Sequence, residues 1–97
     1  MVARVVRWED GDGEAMRRAA QQVAPRAAEG PPEGVPAKGF LLLIDPDNGR
    51  QIGITLFESA EDLAQGNEVL NSMSPPEVIG RRGPVETYEV AIDVRTP

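Results

Sequence analysis

Asn67 is the residue whose type and spacing most need an explanation. It falls four residues after Leu63 and three before Leu70, in a segment of helical apolar spacing, so it belongs to the inward-facing stripe. A buried amide needs hydrogen-bond partners. In a pocket it would hold a carbonyl or an oxygen species; the plainer alternative is a bond to nearby backbone. Asn71, one turn later, faces the same choice or helps close the helix. Trp8 and Tyr88 are two of four aromatic residues, beside Phe40 and Phe57. Trp8 would stack on a flat ligand and Tyr88 would donate a phenolic proton. Yet a lone Trp with its N–H satisfied is commonly core, and Tyr88 shares a strand face with Val90 and Ile92. Core is the expected setting of both. Met16, Phe57 and Met73 would line a pocket, although methionines at helical spacing more often pack. The candidates are thus Asn67, Trp8 and Tyr88 for catalysis and Met16, Phe57, Asn71 and Met73 for ligand binding, with no metal ligand.

Composition removes several chemistries. The 97 residues contain 0 His and 0 Cys. Disulfides, thiolate nucleophiles, imidazole bases and the commonest metal ligands go with them. A formal charge of −6 and a pI near 4.5 oppose nucleic acid and anionic membranes. No apolar run approaches the ~20 residues of a membrane span, and Met1–Arg7 lacks the apolar core of a signal peptide. A soluble cytoplasmic protein is expected. Lys38-Gly39-Phe40 looks superficially like an RNA-recognition motif, but it opens a Leu-Leu-Leu-Ile strand and the charge is wrong. Asp45-Pro46-Asp47-Asn48-Gly49 lacks the spacing and the closing Glu of a calcium loop. Asp10, Asp12 and Glu14 read as a solvated turn before a helix. Arg81-Arg82 would hold an anion at a pocket rim, or form a solvated loop, the better reading.

The elements that must position these residues follow from periodicity. Val2 to Trp8 alternates with apolar residues on both faces, as a central strand does. Asp12 is the expected N-cap of a helix with Met16, Ala20, Val23 and Ala27 along its buried stripe, which Pro25 should kink or end at Ala24. Gly30 to Pro36 reads as loop. Gly39 to Asp45 is a strand, Pro46 to Gly49 a hairpin turn, and Gln51 to Glu58 the returning strand. Ser59 caps a second helix with Leu63, Asn67, Leu70 and Met73 inward, stopped by Ser74-Pro75-Pro76. A last strand is expected from Val85 to Arg95.

Strand, helix, strand, strand, helix, strand in one domain over residues 1–97 predicts an α+β, ferredoxin-like fold, with both helices on one face of an antiparallel sheet. The other face is left bare. The second strand lies at an edge, yet Phe40 to Ile44 is apolar on both sides, which is an aggregation hazard unless covered. A homodimer packed sheet against sheet is the expected remedy.

Val2-Ala3-Arg4-Val5-Val6-Arg7-Trp8, the loop ending in Gly39-Phe40, the Asp45–Gly49 hairpin and the Tyr88-Glu89-Val90 strand together resemble the dimeric α/β-barrel proteins. Within that superfamily the chain is most similar to antibiotic-biosynthesis-monooxygenase-like domains. The resemblance covers nearly the whole chain as architecture and includes no diagnostic catalytic signature. It implies a homodimer with a helix-sheet pocket in each protomer, to which an aromatic at Trp8 contributes. Families of this type include cofactor-independent monooxygenases and small proteins without a known activity. The resemblance is therefore compatible with an apolar or aromatic small-molecule ligand and with cofactor-independent monooxygenase activity, but does not imply that this copy is active. The alternative is a non-catalytic structural or interaction protein of the same fold. Haem degradation also occurs in such families, but with no His or Cys to ligate iron no cofactor is expected here.

Overall fold

The computed structural model describes residues 1–73 and 80–96. β1 (Val2–Glu9) is followed by α1 (Gly13–Ala28), β2 (Ala37–Asp45), β3 (Arg50–Phe57), α2 (Ala60–Ser72), and the short β4 (Arg81–Arg82) and β5 (Glu86–Glu89). The sheet runs β2-β3-β1, and β4 and β5 both pair antiparallel with the far edge of β1. β1 is central and β2 lies at an edge, as the alternation predicts.

The ladder register sorts every side chain. On one face Val2 lies opposite Phe57, Arg4 opposite Thr55, Val6 opposite Gly53 and Trp8 opposite Gln51. This is the helix side. Phe57 joins Val35 and Leu63 in its core, with Val2, Val69 and Leu70 around them. Met16 and Ala19 of α1 form a second cluster against Trp8. Phe57 and Met16 are fully enclosed, and each contributes about 1.5–3 kcal/mol by leaving water. Val35 is a core residue inside a segment that reads as a Gly/Pro loop.

The opposite face carries Ala3, Val5 and Leu56, with Ile52, Ile54 and Val90 beside them. No element of the chain crosses it among the described residues. Leu41 and Leu43 of β2 lie on this face opposite Ile54 and Ile52 and remain 50% and 48% exposed.

The hairpin between β2 and β3 uses a single 3-10 turn over Pro46–Asn48, and Gly49 takes a left-handed φ of 66°. Its amide and carbonyl are both committed: Gly49 N–H bonds Pro46 O, and Gly11 N–H bonds Gly49 O at 3.0 Å. A Cβ at Gly49 would meet Gly11 O, so glycine is required by contact as well as conformation. Ser59 caps α2 as predicted, its hydroxyl accepting from Asp62 N–H at 3.2 Å.

One local expectation is met in part and three are corrected. Asp12 occupies the N-cap of α1 but its side chain makes no capping bond. The buried residues of α1 are Ala15, Met16 and Ala19, while Ala20 and Val23 are half-buried and Ala27 is exposed. α1 does not end at Ala24 but runs through Pro25 to Ala28; Gln21, whose carbonyl loses its N–H partner, is exposed to water. The last strand is short. β5 ends at Glu89 because its ladder partner β1 begins at Val2, and after Val90 N–H bonds Met1 O no further strand follows among the described residues. The predicted stop at Ser74-Pro75-Pro76 lies outside the described residues.

Candidate functional site

Arg4 sits in the middle of β1 with its side chain on the helix side, and the residue is 7% exposed. Alternation puts it there: Val2, Val6 and Trp8 share its face. A buried guanidinium must be hydrogen-bonded, and α2 supplies the acceptors. Arg4 Nε donates to Asn67 Oδ1 at 2.8 Å and Arg4 Nη2 donates to Asn71 Oδ1 at 2.9 Å. The two asparagines are one helical turn apart, so a single guanidinium edge spans both. From the other side Arg82, in β4, donates Nη2 to the same Asn71 Oδ1 at 2.6 Å. Burial, and next the nearby Arg82 charge, hold the Arg4 pKa below its ordinary value. The group still carries its charge at neutral pH.

This cluster explains Asn67. The amide does face inward, and its partner is a side chain 63 residues away in sequence and not local backbone. Asn71 is drawn into the same network. Arg4 and Arg82 are the residues that sequence reasoning underweighted. A charged residue inside an apolar strand was the available signal for Arg4, as the double arginine was for Arg82.

The other candidates scatter. Trp8 is on the helix side, half-buried against Met16 and Ala19, with its ring over Gly53, where a Cβ would lie 3.4 Å from it. Tyr88 is on the opposite face, across from Ala3, and is 47% exposed, against the expectation of core. No helix covers its face among the described residues, and its hydroxyl donates to Glu86 Oε2 at 2.7 Å. Glu86 Oε1 also accepts from Arg7 Nε at 2.8 Å, and the Tyr88 bond, then Arg7, keep the Glu86 carboxyl below its usual range. Met73 follows the end of α2 and is exposed, so it does not pack as predicted. The structure therefore groups Asn67 with Asn71, and Trp8 with Met16; it does not bring Asn67, Trp8 and Tyr88 together.

Gln51 is a further buried polar residue on the helix side, and its Oε1 has no hydrogen-bond partner among the described residues. It lies opposite Trp8 at the end of the sheet, where a recess of about 200 Å³ is lined by residues including Trp8, Leu43, Ile44 and Gln51. A second recess, of about 260 Å³, lies between β1 and β4 and is lined by Arg7, Glu9, Arg81, Arg82, Gly83 and Pro84. Of the acidic residues around the start of α1, Asp10 pairs with Arg81 at 2.9 Å and Glu14 with Arg17 at 3.1 Å.

Element order, sheet order and the two helices on one face make this a ferredoxin-like α+β domain. Among solved structures it is similar to the heme-degrader MhuD of Mycobacterium tuberculosis, solved with two hemes bound in its active site. The TM-score is 0.63, with 20% identity over 96% of this chain and 99% of that chain. That likeness is one of fold. No family model and no curated protein matches the chain. Haem does not fit the donors present. The sequence has no His or Cys, the Met16 sulfur is enclosed in core, Met73 lies exposed past the end of α2, and Tyr88 lies on the face away from the helices with its hydroxyl donating to Glu86.

Proposed function

We propose that the protein is a homodimeric domain that binds a small organic molecule on the helix side of its sheet, beside α2. The observation that supports ligand binding is the Arg4–Asn67–Asn71–Arg82 cluster. Polar groups are gathered in the layer where an apolar stripe would be expected from packing alone. The observation that supports the dimer is the open sheet face, where Leu41, Leu43 and Tyr88 are about half exposed. Ile92 and Val94, after β5, are further exposed apolar residues, at 83% and 81%. A face of this kind on an edge strand asks for a partner, and a two-fold copy brings the same apolar patch.

Oxygenation of an electron-rich aromatic or enolic ligand without a cofactor is the catalytic form of this reading, with desolvation and hydrogen bonds as the protein's contribution. Thermal-shift screening of a broad aromatic set, followed by oxygen-uptake assays with quinols, tests it. Ligand-dependent stabilisation supports binding, and oxygen consumption supports turnover. No shift across the set rejects binding.

The second reading is a non-catalytic structural or interaction protein. It is favoured by the filled interior: Met16 and Phe57 are fully enclosed, and a Cβ on Gly66 would lie 2.8 Å from the Phe57 ring. Neither recess named above reaches the roughly 300 Å³ of an ordinary small-molecule pocket.

A further inference from the structure

The α2 cluster has used all its side-chain acceptors. Asn67 Oδ1 takes Arg4 Nε, and Asn71 Oδ1 takes both Arg4 Nη2 and Arg82 Nη2. These amide orientations are forced, because a guanidinium only donates. What remains is donors alone: the amide nitrogens of Asn67 and Asn71, Arg4 Nη1, and Arg82 Nε and Nη1. None of these has a hydrogen-bond partner among the described residues.

The charge is equally one-sided. Arg7, Arg17, Arg50, Arg81 and Arg95 each pair with a carboxylate. Arg4 and Arg82 have none within ion-pair distance among the described residues. Both touch one amide oxygen, so their guanidinium nitrogens lie within two hydrogen-bond lengths of each other. Two like charges held this close, one of them buried, are unfavourable without a compensating anion. In a chain of net charge −6 they are conspicuous. Arg82 is exposed, so the cluster can be reached from solvent at its Arg82 end.

We propose that Arg4, Arg82 and the amide nitrogens of Asn67 and Asn71 form an oxyanion subsite that takes the carboxylate or phosphate group of a small organic ligand. It rests on the small-molecule reading above and names the ligand's class. The anion bridges the two guanidinium groups and turns their repulsion into two charge-assisted contacts. An uncharged aromatic would leave Arg4 as it is.

Calorimetric titrations with inorganic phosphate, benzoate and benzamide, at fixed ionic strength in chloride, test this. Benzoate or phosphate should bind, with benzamide at least about tenfold weaker, since one charge-assisted hydrogen bond is worth about 1.4 kcal/mol or more. Arg82→Gln, at an exposed position, should weaken the anion about tenfold with its melting temperature nearly unchanged. Arg4→Met should abolish anion binding; if that variant does not fold, Arg82→Gln decides. Phosphate binding without benzoate binding, lost in Arg82→Gln, supports the subsite and makes the ligand a phosphate. Benzoate binding without phosphate binding makes it a carboxylate. Equal binding of benzoate and benzamide, unmoved by Arg82→Gln, overturns the subsite and leaves small-molecule binding standing. No response to any of the three probes overturns the subsite, and the aromatic thermal-shift screen then judges the broader reading separately.

Discussion

Arg4 Nε and Asn67 Oδ1, 2.8 Å apart, tie the middle of the central strand to the middle of α2. The bond matters because Arg4 cannot turn to water without leaving the layer it occupies. Asn67→Ala removes the acceptor and strands a buried charged donor, so it should cost about 1–3 kcal/mol in urea unfolding. Arg4→Met should cost less, because it removes the charge together with the need for a partner. The double variant should then lie close to Arg4→Met alone, with a coupling of about 0.5–3 kcal/mol. Strictly additive losses would show that the two side chains do not depend on each other.

Gly66 meets Phe57 in the same layer. A Cβ there would come 2.8 Å from one ring carbon and 3.2 Å from a Val35 methyl. Phe57 is fully enclosed and its ring has nowhere to move. Gly66→Ala would ordinarily favour a helix by about 1 kcal/mol. Here overpacking should win and the variant should be destabilised by about 1–2 kcal/mol net. Adding Phe57→Leu should recover part of that loss. A melting temperature that rises in Gly66→Ala would mean the ring has room.

The layer architecture was legible because it rests on local signals: alternation in Val2–Trp8, an unambiguous turn at Pro46–Gly49, and helical spacing around Leu63 and Leu70. What was not legible depends on distant partners. The length of the last strand is one such case. Tyr88, Val90, Ile92 and Val94 alternate without a break, but a ladder needs a neighbour, and β1 runs out opposite Glu89. Beyond Glu89 the alternation is not matched by any strand among the described residues. The phase of α1 is hard to read in the sequence because its small alanines mark the buried stripe weakly, and Ala15 and Ala19 carry it with Met16. Asn67 was found by its place in a stripe, whereas its partner lay 63 residues away and no spacing rule reaches that far.

Two carboxylates give the protein an acid-sensitive rim. Arg50, and then Asn48, hold Asp45 below its ordinary pKa of 3.8 beside the hairpin. Tyr88, and then Arg7, hold Glu86 below its ordinary 4.5 on β5. A carboxyl depressed on folding adds stability above its unfolded pKa, and that share is lost as pH falls through the folded value. These two groups should therefore leave the melting temperature flat from pH 7 to about 5 and lower it below about pH 4. Both sites are exposed, so the effect should be small and should shrink in salt. Asp45→Asn with Glu86→Gln should flatten the acid limb; an unchanged limb would assign it to other groups.

Leu41 and Leu42 are neighbours on β2 that face opposite ways. Leu41 lies opposite Ile54 on the open face and Leu42 opposite Gly53 on the helix side. The pleat alone requires the asymmetry, and the register assigns it. Leu42→Glu places a carboxylate among the helix-side residues and should lower the melting temperature of the protomer, costing about 1–3 kcal/mol. Leu41→Glu leaves that core intact, since the side chain is already half exposed. Its effect should fall on the proposed dimer instead, two copies of the charge meeting across the two-fold axis. Light scattering should then report a folded monomer for Leu41→Glu and a dimer of reduced stability for Leu42→Glu. A wild-type chain that scatters as a monomer at micromolar concentration would refute the dimer. A Leu41→Glu variant that stays dimeric would move the interface off this face.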